Sequence, residues 1–185
     1  AYIDAWPSQH FSVRYFGHQL VRFLGEAAAY KEQLILEEMA QFEWLLRDAF
    51  DAADAKPMTI EDLQSIEAQL WPELKFSFHP SLQRINLNYN TPQLWQAIDS
   101  EQPPIPIEKN DYPLPWCIWR QELRTLYRSL SVDEAWAMDA LRDQSTFSEI
   151  CSGVCEWVDE QYAAPRVAGF VQNWIKEGLI TAAYS

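Results

Sequence analysis

Apolar residues recur every three or four positions through the first third of the chain. Tyr15, Phe16, Leu20, Phe23 and Leu24 follow Ser12-Val13 on helical spacing. Leu34, Ile35, Met39, Phe42, Leu45, Leu46 and Ala49 form a longer stripe and predict an amphipathic helix from about Tyr30 to Ala53. Trp44 falls on its apolar side, while Glu37, Glu38, Glu43 and Asp48 read as a solvated face. Lys56-Pro57 ends the helix, because proline cannot continue it and restricts the residue before it. Thr59 with Asp62 has the arrangement of a capping box and predicts a helix to about Leu70. The period then changes to two. Phe76 and Phe78 alternate with Ser77 and His79, and Ile85, Leu87 and Tyr89 with Asn86 and Asn88, which predicts two strands joined around Pro80-Ser81. Thr91-Pro92 opens a short helix. Residues 99–115 hold five prolines and read as a connector.

From Trp116 to Leu130 the pattern fits two structures. Leu123, Leu126, Tyr127 and Leu130 suit a helix; Trp116, Ile118, Thr125 and Tyr127 suit a hairpin. Three helices are expected next. Ser131 to Glu134 caps one over about 132–142, Ser145 to Glu149 caps another to about Val158, and Pro165 opens a third to about Lys176. Gly178 stops the last, and Leu179-Ile180-Thr181 reads as a strand. The resulting organisation is α+β. A helical part spans residues 1–56, and a mixed domain with a small antiparallel sheet spans residues 57–185. The opening Ala1-Tyr2-Ile3 reads as the tail of an earlier helix, so residues are expected to precede it.

Composition narrows the function classes. The chain has 185 residues, 14 Lys and Arg against 27 Asp and Glu, and a net charge of −13. Such a surface disfavours broad contact with a phosphate backbone, which needs concentrated Lys and Arg. No apolar run is long enough to cross a bilayer, and no membrane role is expected. Three cysteines without a CxxC pair point to a reducing, cytoplasmic compartment.

Candidate chemistry is sparse. His10, His18 and His79 are the only histidines and form no metal signature, although His79 beside Pro80-Ser81 suits a ring that satisfies turn backbone. Cys151 and Cys155 share a helix face but give only two ligands, with Cys117 distant, so all three read as small hydrophobes. The acidic helix lacks the Glu-x-x-His pairs of a di-iron bundle. GxSxG, GxxxxGK[ST] and GxGxxG are absent. No catalytic residue, metal or cofactor is therefore expected. Arg120, Arg124 and Arg128 are the densest basic run. They suit a grip on phosphate or an acidic peptide, or equally pairing with nearby acids.

Several ordered motifs carry a resemblance over nearly the whole chain. These are Gln41-Phe42-Glu43-Trp44 with Asp48-Ala49-Phe50-Asp51-Ala52-Ala53-Asp54, then Leu74 to Phe78 with His79-Pro80-Ser81-Leu82, then Trp119-Arg120 ahead of Tyr127-Arg128-Ser129-Leu130. Together they resemble the HvfC/BufC family, whose N-terminal helical region carries the description of a DNA-binding domain. The family's early helices are missing here. The resemblance implies that 116–130 is a hairpin leading into three helices and a final strand. Leu141, Gln144 to Ile150, Phe170-Val171, Trp174 and Gly178-Leu179-Ile180 are similar to the PqqD-like winged-helix module that recognises leader peptides. A winged helix more often binds DNA, yet Glu149, Glu156, Asp159 and Glu160 stand where a DNA reader carries Arg or Lys.

The resemblance implies a non-catalytic adaptor that binds a precursor peptide and an HvfB/BufB-type iron enzyme, in a metal-stress setting. The peptide would add to the strand Leu123–Leu130 and rest on the helix from Pro165. Arg124, Leu126, Tyr127, Arg128, Val167 and Val171 are the expected peptide contacts. The family-motif residues are Glu43, Trp44, Asp54, His79, Pro80, Ser81, Trp119 and Arg120. The alternative is a DNA-binding regulator.

Overall fold

The computed structural model describes residues 1–8 and 11–185. In chain order the elements are α1 (Tyr2–Ala5), a 3-10 turn (Val13–Tyr15), α2 (Leu20–Glu26), α3 (Leu34–Asp51), α4 (Ile60–Gln64), a second 3-10 turn (Ala68–Glu73), β1 (Lys75–Phe78) and β2 (Gln83–Tyr89). They continue with α5 (Thr91–Asp99), β3 (Lys109–Gln121), β4 (Arg124–Ser129), α6 (Val132–Arg142), α7 (Phe147–Val154), α8 (Glu160–Lys176) and β5 (Ile180–Tyr184). The fold is α+β. None of the described helices is long and apolar enough to cross a membrane.

The chain forms two compact units, residues 1–47 with 85–114 and residues 48–84 with 115–185. This differs from the linear division expected at 1–56 and 57–185. Side-chain chemistry explains why residues 85–114 join the first unit. Glu38 is buried and not on a solvated face. Its carboxylate accepts from the backbone N–H groups of Asn88 (2.6 Å) and Tyr89 (3.1 Å), and also from the Asn88 amide and the Thr91 hydroxyl. A buried carboxylate is tolerated only when its lone pairs are met in this way. Phe42 is fully buried, with its ring 6.2 Å from Trp95 of α5.

The second unit holds one continuous core, which includes Phe76, Cys117, Trp119, Met138, Leu141, Ile150, Val167, Val171 and Trp174. Thr59 and Asp62 form the expected capping box, but α4 ends at Gln64, and the 3-10 turn carrying Pro72 takes up the rest. Thr146 and Glu149 cap α7 reciprocally. β1 and β2 do not pair. β1 instead runs antiparallel to β5, with Lys75 opposite Tyr184 and Phe76 opposite Ala183. The other sheet has the order β2-β3-β4.

Three prolines mislead the sequence reading. The strand β3 begins at Lys109, inside the expected connector, and takes in Pro113 and Pro115. Proline fits a strand wherever its missing N–H is not required, and the Pro115 carbonyl accepts from Leu130 N–H at 2.8 Å. Pro165 lies within α8, which starts five residues earlier behind Asp159.

Candidate functional site

Residues 116–129 form the hairpin, with Trp116 opposite Ser129 and Gln121 opposite Arg124. A two-residue turn closes it, where Glu122 takes the left-handed conformation (φ 55°) and Leu123 is exposed. Because β4 is the last strand in its sheet, one of its edges lies outside the β3 ladder. Alternation puts Arg124, Leu126 and Arg128 on one face and Thr125 and Tyr127 on the other. Arg124 is exposed; Leu126 and Tyr127 are half-buried, and the Tyr127 ring sits 6.2 Å from Trp116.

Arg128 corrects the expectation of a free peptide-binding charge. Its Nη1 and Nη2 donate to Glu134 at 3.1 and 2.6 Å, and its Nε and Nη2 donate to Glu177 at 2.7 and 2.9 Å. Trp174 Nε1 also donates to Glu134, at 2.9 Å. Burial disfavours the guanidinium charge, but the two carboxylates more than offset it and hold the Arg128 pKa above the ordinary arginine value. Val167 and Val171 are corrected as well. They lie one helical turn apart on the inward stripe of α8 and are fully buried in the core, so they offer no peptide contact.

A second cluster gathers residues that the sequence scatters. His79-Pro80-Ser81-Leu82 is a tight turn closed by Leu82 N–H to the His79 carbonyl at 2.9 Å. Ser81 N–H and Ser81 Oγ both meet His79 Nδ1, at 3.1 and 2.8 Å, and Ser81 Oγ accepts from Arg120 N–H at 3.0 Å. The Arg120 guanidinium donates to the Phe50 carbonyl (3.0 Å) and to Asp54 (2.5 Å). Thus Asp54, His79, Ser81 and Arg120 lie together, with Trp119 buried next in sequence. Glu43, exposed, and Trp44, half-buried, belong to the other unit.

Asp54, His79, Arg120, Lys176 and Gly178 line a cleft of about 490 Å³. The His79 imidazole is held below its ordinary pKa, first by burial and then by the Arg120 charge. With Nδ1 accepting from Ser81 N–H, the neutral ring carries its proton on Nε2. A serine–histidine contact invites comparison with an activated nucleophile. Here the hydroxyl is fully buried and occupied both as donor and as acceptor, so the arrangement locks the turn against β3.

The three arginines therefore have separate surroundings, since Arg120 stands on β3 opposite Thr125, and Arg124 and Arg128 stand on β4. The sequence reading placed Glu134 only in a helix cap and Trp174 only in the winged-helix resemblance, and did not single out Glu177; their grouping around Arg128 spans separations of 6 to 49 residues and leaves no periodic signal. Cys117 is buried and its thiol is pushed up to about 12; burial pushes Cys151 up to about 11. Cys155 is exposed, unlike the buried thiol expected, and donates to the Cys151 carbonyl at 3.3 Å. His18 is exposed and its ring meets the Tyr15 carbonyl, while His10 lies outside the described residues. Among the described residues no group of three His, Cys, Asp or Glu is placed to hold a metal ion. No known family model matches the chain, and no curated protein matches it.

Proposed function

We propose that this chain is a non-catalytic, cytoplasmic adaptor that presents a ribosomally made precursor peptide to an HvfB/BufB-type iron enzyme. The observation that carries this reading is the edge strand β4. A strand at the end of its sheet accepts an added extended segment, with main-chain hydrogen bonds for affinity and flanking side chains for register. Arg124 is the exposed cation on that strand and suits an acidic leader peptide. Leu126 and Tyr127 supply the neighbouring apolar contacts. Arg128, Val167 and Val171 act behind this surface as support. The net charge of −13 works against the DNA-binding alternative.

Titrating a labelled precursor peptide while following amide hydrogen exchange tests the reading. Protection is expected across residues 124–129 when peptide is bound. Arg124→Glu should slow association several-fold, with an unchanged thermal melt, because a rim charge acts mainly on encounter. Peptide binding that leaves exchange in β4 untouched would remove this strand from the site.

A further inference from the structure

A different face of the second unit carries two exposed indoles. Trp136 on α6 is 37% exposed and Trp157, just after α7, is 43% exposed. Their ring centroids are 5.8 Å apart, with planes at 47°. Trp136 is seated on Gly153 of α7 so closely that a Cβ there would lie 1.8 Å from its ring. The glycine thus reserves the place of a large apolar side chain that is left partly in water. The charge around it is one-sided. Between Arg142 and Arg166 the chain has no Lys or Arg, but it has Asp143, Glu149, Glu156, Asp159 and Glu160. Of these, Glu149 is used in the cap of α7. Glu156, Asp159 and Glu160 line a shallow depression of about 680 Å³ with Trp157 and Tyr162.

We infer that this face docks a partner-protein segment bearing arginine or lysine side chains. Aromatic faces attract a cation held within about 6 Å, and arginine stacks on them best. The carboxylates beside them balance the charge that such a segment brings, and they repel an acidic peptide or a nucleic acid. Exposed tryptophans of this kind anchor protein interfaces. The surface is distinct from β4 and stands whether or not the adaptor reading holds.

A short labelled peptide alternating Arg and Leu is the probe, followed by fluorescence anisotropy at physiological salt. The overall negative charge attracts any polycation, so the informative variants leave charge unchanged. Trp157→Ala should weaken binding by roughly tenfold with an unchanged melt. Gly153→Ala keeps both indoles and every charge but pushes Trp136 off its seat, and it should weaken binding as well. Glu61→Gln, on α4, should leave affinity as it was. The inference is overturned if the peptide does not bind. It is equally overturned if Trp157→Ala and Gly153→Ala both bind like the parent, or if Glu61→Gln weakens binding as much as they do.

Discussion

Burial and the neighbouring Arg120 guanidinium both oppose a positive charge on His79, so its folded pKa lies below the unfolded value of about 6.5. The sign of the pH effect follows. Above about pH 6.5 both states carry a neutral ring, and the stability from the turn is fully present. As pH falls through the folded pKa, the unfolded chain takes up the proton more readily, and that stability is lost. Unfolding free energies from denaturant titrations should therefore decline below about pH 6.5. In His79→Asn, which keeps an acceptor close to the Nδ1 position, that part of the decline should disappear. An identical pH profile in the two proteins would contradict the assignment. At this scale the sequence was partly legible: His79-Pro80-Ser81 announced a turn that satisfies its own polar groups, whereas the contacts of its ring and of Ser81 with Arg120 depend on how β3 passes the turn.

Arg128 joins three elements, since Glu134 belongs to α6 and Glu177 stands at the C-terminal end of α8. Removing the cation leaves the buried Glu134 and the half-buried Glu177 carboxylates without it, and an indole donor bonded to Glu134. Arg128→Ala should cost about 3 kcal/mol in urea unfolding, at the lower end for broken buried pairs because the site is about a quarter exposed. Arg124→Ala, on the exposed part of the same strand, should stay within about 0.5 kcal/mol. Elements whose signals are local were readable: the Thr59 cap, the proline-led α5 and the period-two strands. The hairpin was open on residue pattern alone, because apolar residues in 116–130 match both periods. β3 was read too short because prolines suggest loops, and their fit inside a strand depends on which N–H groups its neighbours need. The pairing of β1 with β5 had no local signal at all, since the partners lie about a hundred residues apart.

At the scale of the whole molecule, charge sets the expectations. Mixed-sequence duplex DNA at physiological salt should give no mobility shift with this protein, because −13 net charge opposes the phosphate backbone. A shift that weakens steeply with added salt would restore the DNA-binding alternative. The fold class was legible from the change of period alone, but the division into units was not: Glu38 ties residues 88–91 to α3 through hydrogen bonds that no linear boundary anticipates. The β1–β5 ladder has a consequence for synthesis. A ribosome that has released residues 75–78 must translate roughly another hundred before the strand that pairs with them exists. Until then Phe76 has no partner strand, and the nascent second unit depends on protection from aggregation or on slow late closure. Stop codons placed between codons 160 and 179 should therefore yield chains that are captured by chaperones or degraded, even where every residue of β4 and α6 has been made.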